Sequence, residues 1–337
     1  MQFGVMDHLD LSGDGPVQAH YENRLKLLEL CDRGGFRGCH VTEHHCTPLG
    51  GGASPSVFLA AAAQRTRRLR LGTLVYALPL HHPIRLAEEI GMIDQMSGGR
   101  VDLGFGRGSV PMELAYFGVD PKQAREIHEE ALACVLQGMA TGRIDFEGAH
   151  YRIKDAPIHQ RPLQTPHPPI WYGVHSLESA ETAARRGYHI VCNETAADSG
   201  AYIGRFKETW RERNGEAPTP IVGLARSVFV APTDDEGLAI ARRAHLRFNA
   251  SFRWLHNKHG VAPRLSGREA TFDELIASGR GTAGSPDTVG RALAADMRAA
   301  GADYCVMRLA FGDMSYAEME RSAKLFIAEV MPRMANT

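Results

Sequence analysis

Short apolar runs alternate with longer amphipathic stretches over the whole chain, and this rhythm limits the fold more than any other feature. Eight runs read as strands: 3–6, 39–42, 69–78, 101–104, 169–173, 190–193, 221–231 and 304–309. Each is followed by a stretch with helical spacing. The stretch 18–33 carries Leu25, Leu28 and Cys31 on one side and stops at Gly34-Gly35, as a helix does at a glycine C-terminus. Ser54-Pro55 opens a helix to Arg67, with serine at the cap and proline in the first position. Pro83 starts another that runs through Met96 and ends at Ser97-Gly98-Gly99. Further helices are expected over 122–139, 177–186, 201–213, 234–248, 286–300 and 316–331. Strict strand–helix alternation demands parallel strands joined by crossover helices. Eight repeats match a closed (β/α)8 TIM barrel with insertions, an α/β fold, with an open doubly wound sheet as the alternative.

A length of 337 residues fits two domains or one large barrel, and no linker or internal repeat divides the chain, so a single domain over 1–337 is expected. Two segments exceed plain connections. Residues 146–168 are rich in His and Pro and suggest a β-excursion. Residues 252–286 show few helical cues and contain Gly279-Arg280-Gly281, so 252–285 reads as a lid insertion over the barrel mouth. With 38 Lys+Arg against 39 Asp+Glu, the net charge of −1 lacks the basic excess that a nucleic-acid or anionic-membrane partner calls for. The six cysteines are scattered without a Cys-x-x-Cys pair, which argues against a zinc site or a disulfide framework and for small buried residues in a reducing compartment. The N-terminus has no signal-peptide pattern, and no apolar run reaches membrane-spanning length, so a soluble cytoplasmic protein is expected.

In such a barrel the chemistry sits at the carboxyl ends of the strands. There the sequence sets Asp7-His8, Glu43-His44-His45, Tyr76, Gly104-Phe105-Gly106-Arg107-Gly108, His175-Ser176, Asn193-Glu194 and Arg308. The chain holds 16 histidines, and those at strand ends are placed where a group titrating near neutral pH can move protons. Glu43-His44-His45 offers metal ligands, but adjacent residues on an extended strand end point opposite ways, so one ion cannot easily take both imidazoles. The other readings are a structural or partner-contacting histidine and a general acid–base. Gly104–Gly108 is either a phosphate turn, with close backbone approach and a bidentate Arg107, or a tight turn carrying a surface arginine. It is not the G-x-G-x-x-G dinucleotide fingerprint. Arg125, at the start of the next helix, is a second phosphate clamp or a solvated arginine. His175-Ser176 opens a helix whose first turn holds Leu177 and Ser179, an anion seat or an ordinary N-cap. Three such groups on one rim point to a phosphorylated cofactor, FMN being the usual one in a barrel.

The same residues carry a family resemblance. Glu43-His44-His45, Gly72-Thr73, His82-Pro83-Ile84-Arg85, the run Asp94 to Arg100, Arg107-Gly108, Phe117-Gly118, Gly284-Ser285-Pro286 and Val330-Met331-Pro332 follow one another over nearly the whole chain. In order and spacing the chain resembles the bacterial luciferase-like flavin monooxygenases, and among them the luciferase α subunit most. The resemblance implies a TIM barrel and reduced FMN (FMNH2), supplied by a separate flavin reductase. It also implies O2 as oxidant and a small organic substrate oxygenated by way of a C4a-peroxyflavin. It implies that His44 is catalytic, that Arg107, Arg125, Ser176 and Ser179 hold phosphate, and that Glu43, Gly106, His175 and Leu177 lie around the cofactor. It further implies a non-proline cis peptide at Leu74-Val75 under the flavin ring. A homodimer through the 54–67 and 83–96 helices is implied too, with Glu88 reaching the partner's His45. Three departures stand out. Gly106 replaces a cysteine of luciferase, His175 replaces an acidic residue beside the phosphate, and 252–280 matches the luciferase lid only in position and rough length. His81, His82, His159 and His167 read as turn or surface residues. The rivals are an F420-dependent oxidoreductase on the same barrel, a non-catalytic flavin-binding subunit, against which His44 and the lid-length insertion argue, and a metal-dependent barrel hydrolase.

Overall fold

A computed structural model describes residues 1–11, 13, 15–262 and 269–335, and in it the eight apolar runs form a closed ring of parallel strands. In chain order the strands are β1 Gln2–Asp7, β2 Gly38–Val41, β3 Arg70–Thr73, β4 Tyr76–Ala77, β5 Val101–Gly106, β6 Arg143–Glu147, β7 Arg152–Pro157, β8 Ile170–Gly173, β9 His189–Cys192, β10 Val222–Val230, β11 Gly281–Gly284 and β12 Tyr304–Arg308. The ring runs β1-β2-β3-β5-β8-β9-β10-β12 and closes on β1, where Val5 stands beside Cys39 on one side and Met307 on the other. The open doubly wound sheet is thereby excluded.

Side-chain alternation builds two layers from these strands. One set of positions turns inward, and Met6, Trp171, Val191, Ala225, Tyr304 and Val306 fill the barrel. The other set, including Val5, Val41, Leu71, Leu103 and Leu224, meets the surrounding helices in the main core. Burial on both faces is why the strands read as unbroken apolar runs.

The amino-end floor of the barrel is sealed by a polar cluster. Asp102 takes Arg37 at 2.8 Å and Arg70 at 2.7 Å. Burial pushes the Asp102 carboxyl up, but the two guanidinium groups outweigh it and hold it below the usual range. Arg37 lies 5.3 Å from the Trp171 ring centroid, and His40 Nε2 is 3.0 Å from Tyr304 Oη. Gly4 makes this possible, because a Cβ there would overlap the Tyr304 phenol. With the floor closed, the carboxyl ends of the strands form the barrel mouth.

The structure differs from the sequence expectation in several elements. The third run breaks after Thr73, the Leu74-Val75 peptide is cis, and the chain resumes as β4 beside β5. Thr73 Oγ1 donates to the Gly104 carbonyl at 2.9 Å and accepts the Gly104 amide at 3.1 Å, bracing this break. The excursion is the β6–β7 hairpin, which starts earlier, at Arg143, and packs Ile144 and Ile153 on Cys134 of the helix Ala124–Thr141. A separate short helix, Pro111–Tyr116, precedes that one. The helix expected to stop at Phe248 continues to His259 and ends at the left-handed Gly260. The expected lid 252–285 therefore begins inside a helix and also holds the capped helix Phe272–Ala277 and β11, which pairs with the outer half of β10. Its residues 263–268 lie outside the described residues. No described helix is long and apolar enough to cross a membrane.

Candidate active site

Continuing the inward period of two past the buried layer brings His8 of the first strand end, Ser227 of β10 and Arg308 of β12 into the barrel mouth. Phe248, on the helix Asp234–His259, reaches over them. The His8 ring stacks on His44 at 5.9 Å with an 11° interplanar angle and meets the Phe248 ring edge-on at 5.2 Å. Burial, then the Arg308 charge, pushes the His8 imidazole well below its usual range, so it is neutral at pH 7.

His44 Nδ1 lies 3.1 Å from Glu113 Oε1, and both side chains are shielded from solvent. With its proton on Nδ1, His44 donates to the carboxylate and keeps a lone pair on Nε2, the form of a positioned base. Glu113 comes from the helix Pro111–Tyr116. Sequence reasoning missed it, and the available signal was the Val110-Pro111 helix start.

His45 turns the other way. Its Nε2 donates to Glu43 Oε1 at 2.8 Å, and its ring meets Phe117 at 4.7 Å. His81 Nε2 lies 2.9 Å from both Glu43 oxygens, and the Ala77 amide donates to Oε2 at 2.8 Å. Burial pushes the Glu43 carboxyl up, but the bonds from His45, His81 and Ala77 outweigh it and hold it below the usual range. His81 does sit in a turn, as expected, but its ring is also part of the anchor on Glu43. The Glu43 carboxylate is fully engaged within the chain. Among the described residues, no group of three or more His, Cys, Asp or Glu side chains is placed to hold a metal.

β5 and β8 are neighbours in the ring, so the loops after them share one side of the mouth. Arg107 is exposed there and has no hydrogen bond or ion pair to a described residue. Arg125 is exposed too, with Glu178 as its carboxylate neighbour at 3.9 Å. Ser176 and Ser179 form a reciprocal capping box on the helix Leu177–Arg186. Ser179 Oγ accepts the Ser176 amide at 3.0 Å and the His175 amide at 3.1 Å, while Ser176 Oγ accepts the Ser179 amide at 3.2 Å. The Leu177 and Glu178 amides remain without intrahelical partners, a place suited to an anion.

The family model for luciferase-like monooxygenases matches residues 1–304. The chain belongs to the luciferase-like monooxygenase family. It is 37% identical to the protein y4wF of Sinorhizobium fredii over 99% of this chain and 97% of that one. It is 30% identical to 4-hydroxyprotoasukamycin monooxygenase of Streptomyces nodosus subsp. asukaensis, over 92% of this chain and 85% of that one. The solved structure of the monooxygenase RslO1 from Streptomyces bottropensis superposes with a TM-score of 0.88 at 27% identity, covering 99% of both chains.

Two departures of this luciferase-like monooxygenase have a physical reason. A Cβ at Gly106 would lie 2.5 Å from Val75 Cγ2, so a cysteine there has no room beside Val75. His175 Nδ1 lies 2.6 Å from Glu194 Oε1, so Glu194 already occupies that nitrogen. Burial raises the Glu194 carboxyl, but the bond and charge of His175 together with backbone amides outweigh it and hold it below the usual range.

Proposed function

We propose that this luciferase-like monooxygenase binds reduced FMN delivered by a separate flavin reductase and uses it with O2 to oxygenate a small organic substrate. What supports this best is an anion seat, with Arg107 free of any described carboxylate, on the same barrel mouth as a shielded His–Glu pair. Arg107, Arg125, Ser176, Ser179 and the Leu177 and Glu178 amides match a phosphate monoester in charge and donor type. The Leu74-Val75 step and Gly106 would form the wall for the ring, with the main chain of Glu43 and His175 at its margins. Bound there, reduced FMN supplies two electrons to O2. His44 holds or moves the proton, Nε2 acting while Glu113 fixes Nδ1. The sealed floor and Phe248 above the mouth exclude water.

The functional unit is a homodimer. Val57, Met92 and Met96 are 71%, 50% and 45% exposed on the helices Pro55–Arg65 and Pro83–Ser97, and one partner copy would cover them. His45 has used Nε2 on Glu43, which leaves Nδ1 for Glu88 of the partner subunit. Five buried free thiols suit a reducing compartment, the cytoplasm.

The test is oxygen uptake and product formation by the purified protein with photoreduced FMN, alongside FMN titration by fluorescence quenching. Submillimolar FMN binding with O2-dependent product supports the reading. Hydride transfer with F420 and no oxygen uptake would overturn it.

A further inference from the structure

Arg308 is the eighth strand's inward residue at the mouth, two steps beyond Val306 and four beyond Tyr304. Its register partner on β10 is Ser227, and Nη1 donates to Ser227 Oγ at 2.8 Å. The guanidinium lies 4.5 Å from the Phe248 ring centroid. Its Nε is sealed from solvent and has no acceptor, and no described carboxylate lies within ion-pair distance.

Several other shielded arginines meet a carboxylate, and Arg100, which does not, has its donors taken by Thr66 Oγ1 and the Ser97, Leu69, Ala63 and Thr66 carbonyls. Arg226 holds Asp296 at 2.8 Å, Arg37 and Arg70 share Asp102, and Arg24 faces Asp7 at 3.5 Å. Arg280, nearest in charge to Arg308, is neutralised by Glu269 at 2.6 Å and also donates to the Asn193 carbonyl. The acids that share the Arg308 field are occupied. Asp7 takes the Leu9 amide, and Asp10 takes the Gly312 amide. Burial, then Arg280, lowers the Arg308 guanidinium to about 10, against the opposing and more distant charges of Asp10, Asp7 and Glu269. Leaving a shielded cation without a counter-charge is costly, so its partner is best sought outside the chain.

We infer that Arg308 and Ser227 anchor a carboxylate of the organic substrate, placing the rest of that molecule between Phe248 and the His8–His44 stack. A planar guanidinium recognises a carboxylate by charge-assisted hydrogen bonds and rejects the neutral amide of the same shape. His8, neutral and with Nδ1 unpartnered, adds no competing charge. The inference rests on the oxygenase reading for what then happens to the substrate, but not for the binding itself. The one other source of the same negative charge is the ring of reduced FMN, and the test separates the two.

The test is isothermal titration of benzoate and of its neutral isostere benzamide, with and without FMN. It uses wild type, Arg308→Gln, Arg308→Lys and Ser227→Ala, with melting curves for each. Benzoate should bind wild type at least about 10-fold tighter than benzamide. Arg308→Gln should abolish that preference and melt higher than wild type, because the uncompensated cation is gone. Arg308→Lys should keep part of the preference, and Ser227→Ala should lose only a few-fold, so the inference stays open to test if the glutamine variant does not fold. Equal binding of benzoate and benzamide by wild type overturns it. So does loss of reduced-FMN affinity in Arg308→Gln with benzoate binding intact, which would give Arg308 to the flavin. FMN binding without a benzoate preference sinks the subsite alone, whereas a benzoate preference without FMN binding sinks the flavin reading alone.

Discussion

His44 Nδ1 and Glu113 Oε1 meet at 3.1 Å although 69 residues separate them in sequence. The pair unites the end of β2 with a six-residue helix after β5. A carboxylate on one imidazole nitrogen fixes the ring and directs the other nitrogen at the ligand.

Glu113→Gln should lower product formation about 10- to 100-fold. FMN affinity should stay within about twofold, because no phosphate-seat residue changes. Turnover and fluorescence titration on one preparation check this, and unchanged turnover would remove Glu113 from the proton path.

The proposed phosphate seat makes opposite predictions for two charges. Arg107→Ala should weaken FMN binding about 10- to 100-fold, the value of a hydrogen bond to a charged group. Glu178→Gln should tighten it about two- to fivefold, since an exposed carboxylate 3.9 Å from Arg125 competes with the incoming phosphate. Titration at two salt concentrations should show both effects shrinking with ionic strength.

Gly106→Cys should destabilise the fold by about 1–3 kcal/mol through the clash with Val75. Val75→Ala in the same chain should recover most of that loss. Urea unfolding of the two single variants and the double variant reads the coupling, and strictly additive losses would show that Val75 is not the obstacle.

His40 predicts an acid-limb instability. Burial, helped by Arg37 and His189 and opposed by Asp102, lowers its imidazole to about 4. The unfolded chain then binds the proton first, near pH 6.5, so the stabilisation is fully present above that pH and is lost as pH falls from about 6.5 to about 4. The loss is about 3 kcal/mol at the acid end. In His40→Gln the same stretch of the urea midpoint against pH should flatten by about that amount, and an unchanged slope would clear His40.

Met92→Glu should halve the mass seen by light scattering, because it puts a charge in the middle of the proposed apolar contact. A dimer that persists in this variant would move the interface elsewhere.

The strands were legible because burial on both faces leaves unbroken apolar runs, and the helices because glycine and proline mark their ends. His44, Arg107 and the Ser176 cap were legible because they follow directly on those strands. Three features were hidden for physical reasons. The helix through His259 continues past Asn249 and Ser251, weak helix formers that masked it. β11 is Gly281-Thr282-Ala283-Gly284, with no β-favouring pattern, and it is a strand because β10 pairs with it. His81 sits before His82-Pro83 in what looks like a plain turn, yet its ring is held by a carboxylate from another strand end.

Local patterning by itself determined eight strand–helix units with parallel strands and which strand ends would carry the chemistry, since both follow from periods of two and 3.6 residues and from chain punctuation, whereas closure of the ring was decided by the pairing of β12 with β1. Only the tertiary structure decided which carboxylate each histidine meets, that Val75 fills the space of a cysteine at 106, and that Arg308 faces the mouth without a counter-charge. Those relationships join side chains from strands and helices far apart in sequence, and nothing in a one-dimensional pattern encodes the distance between them.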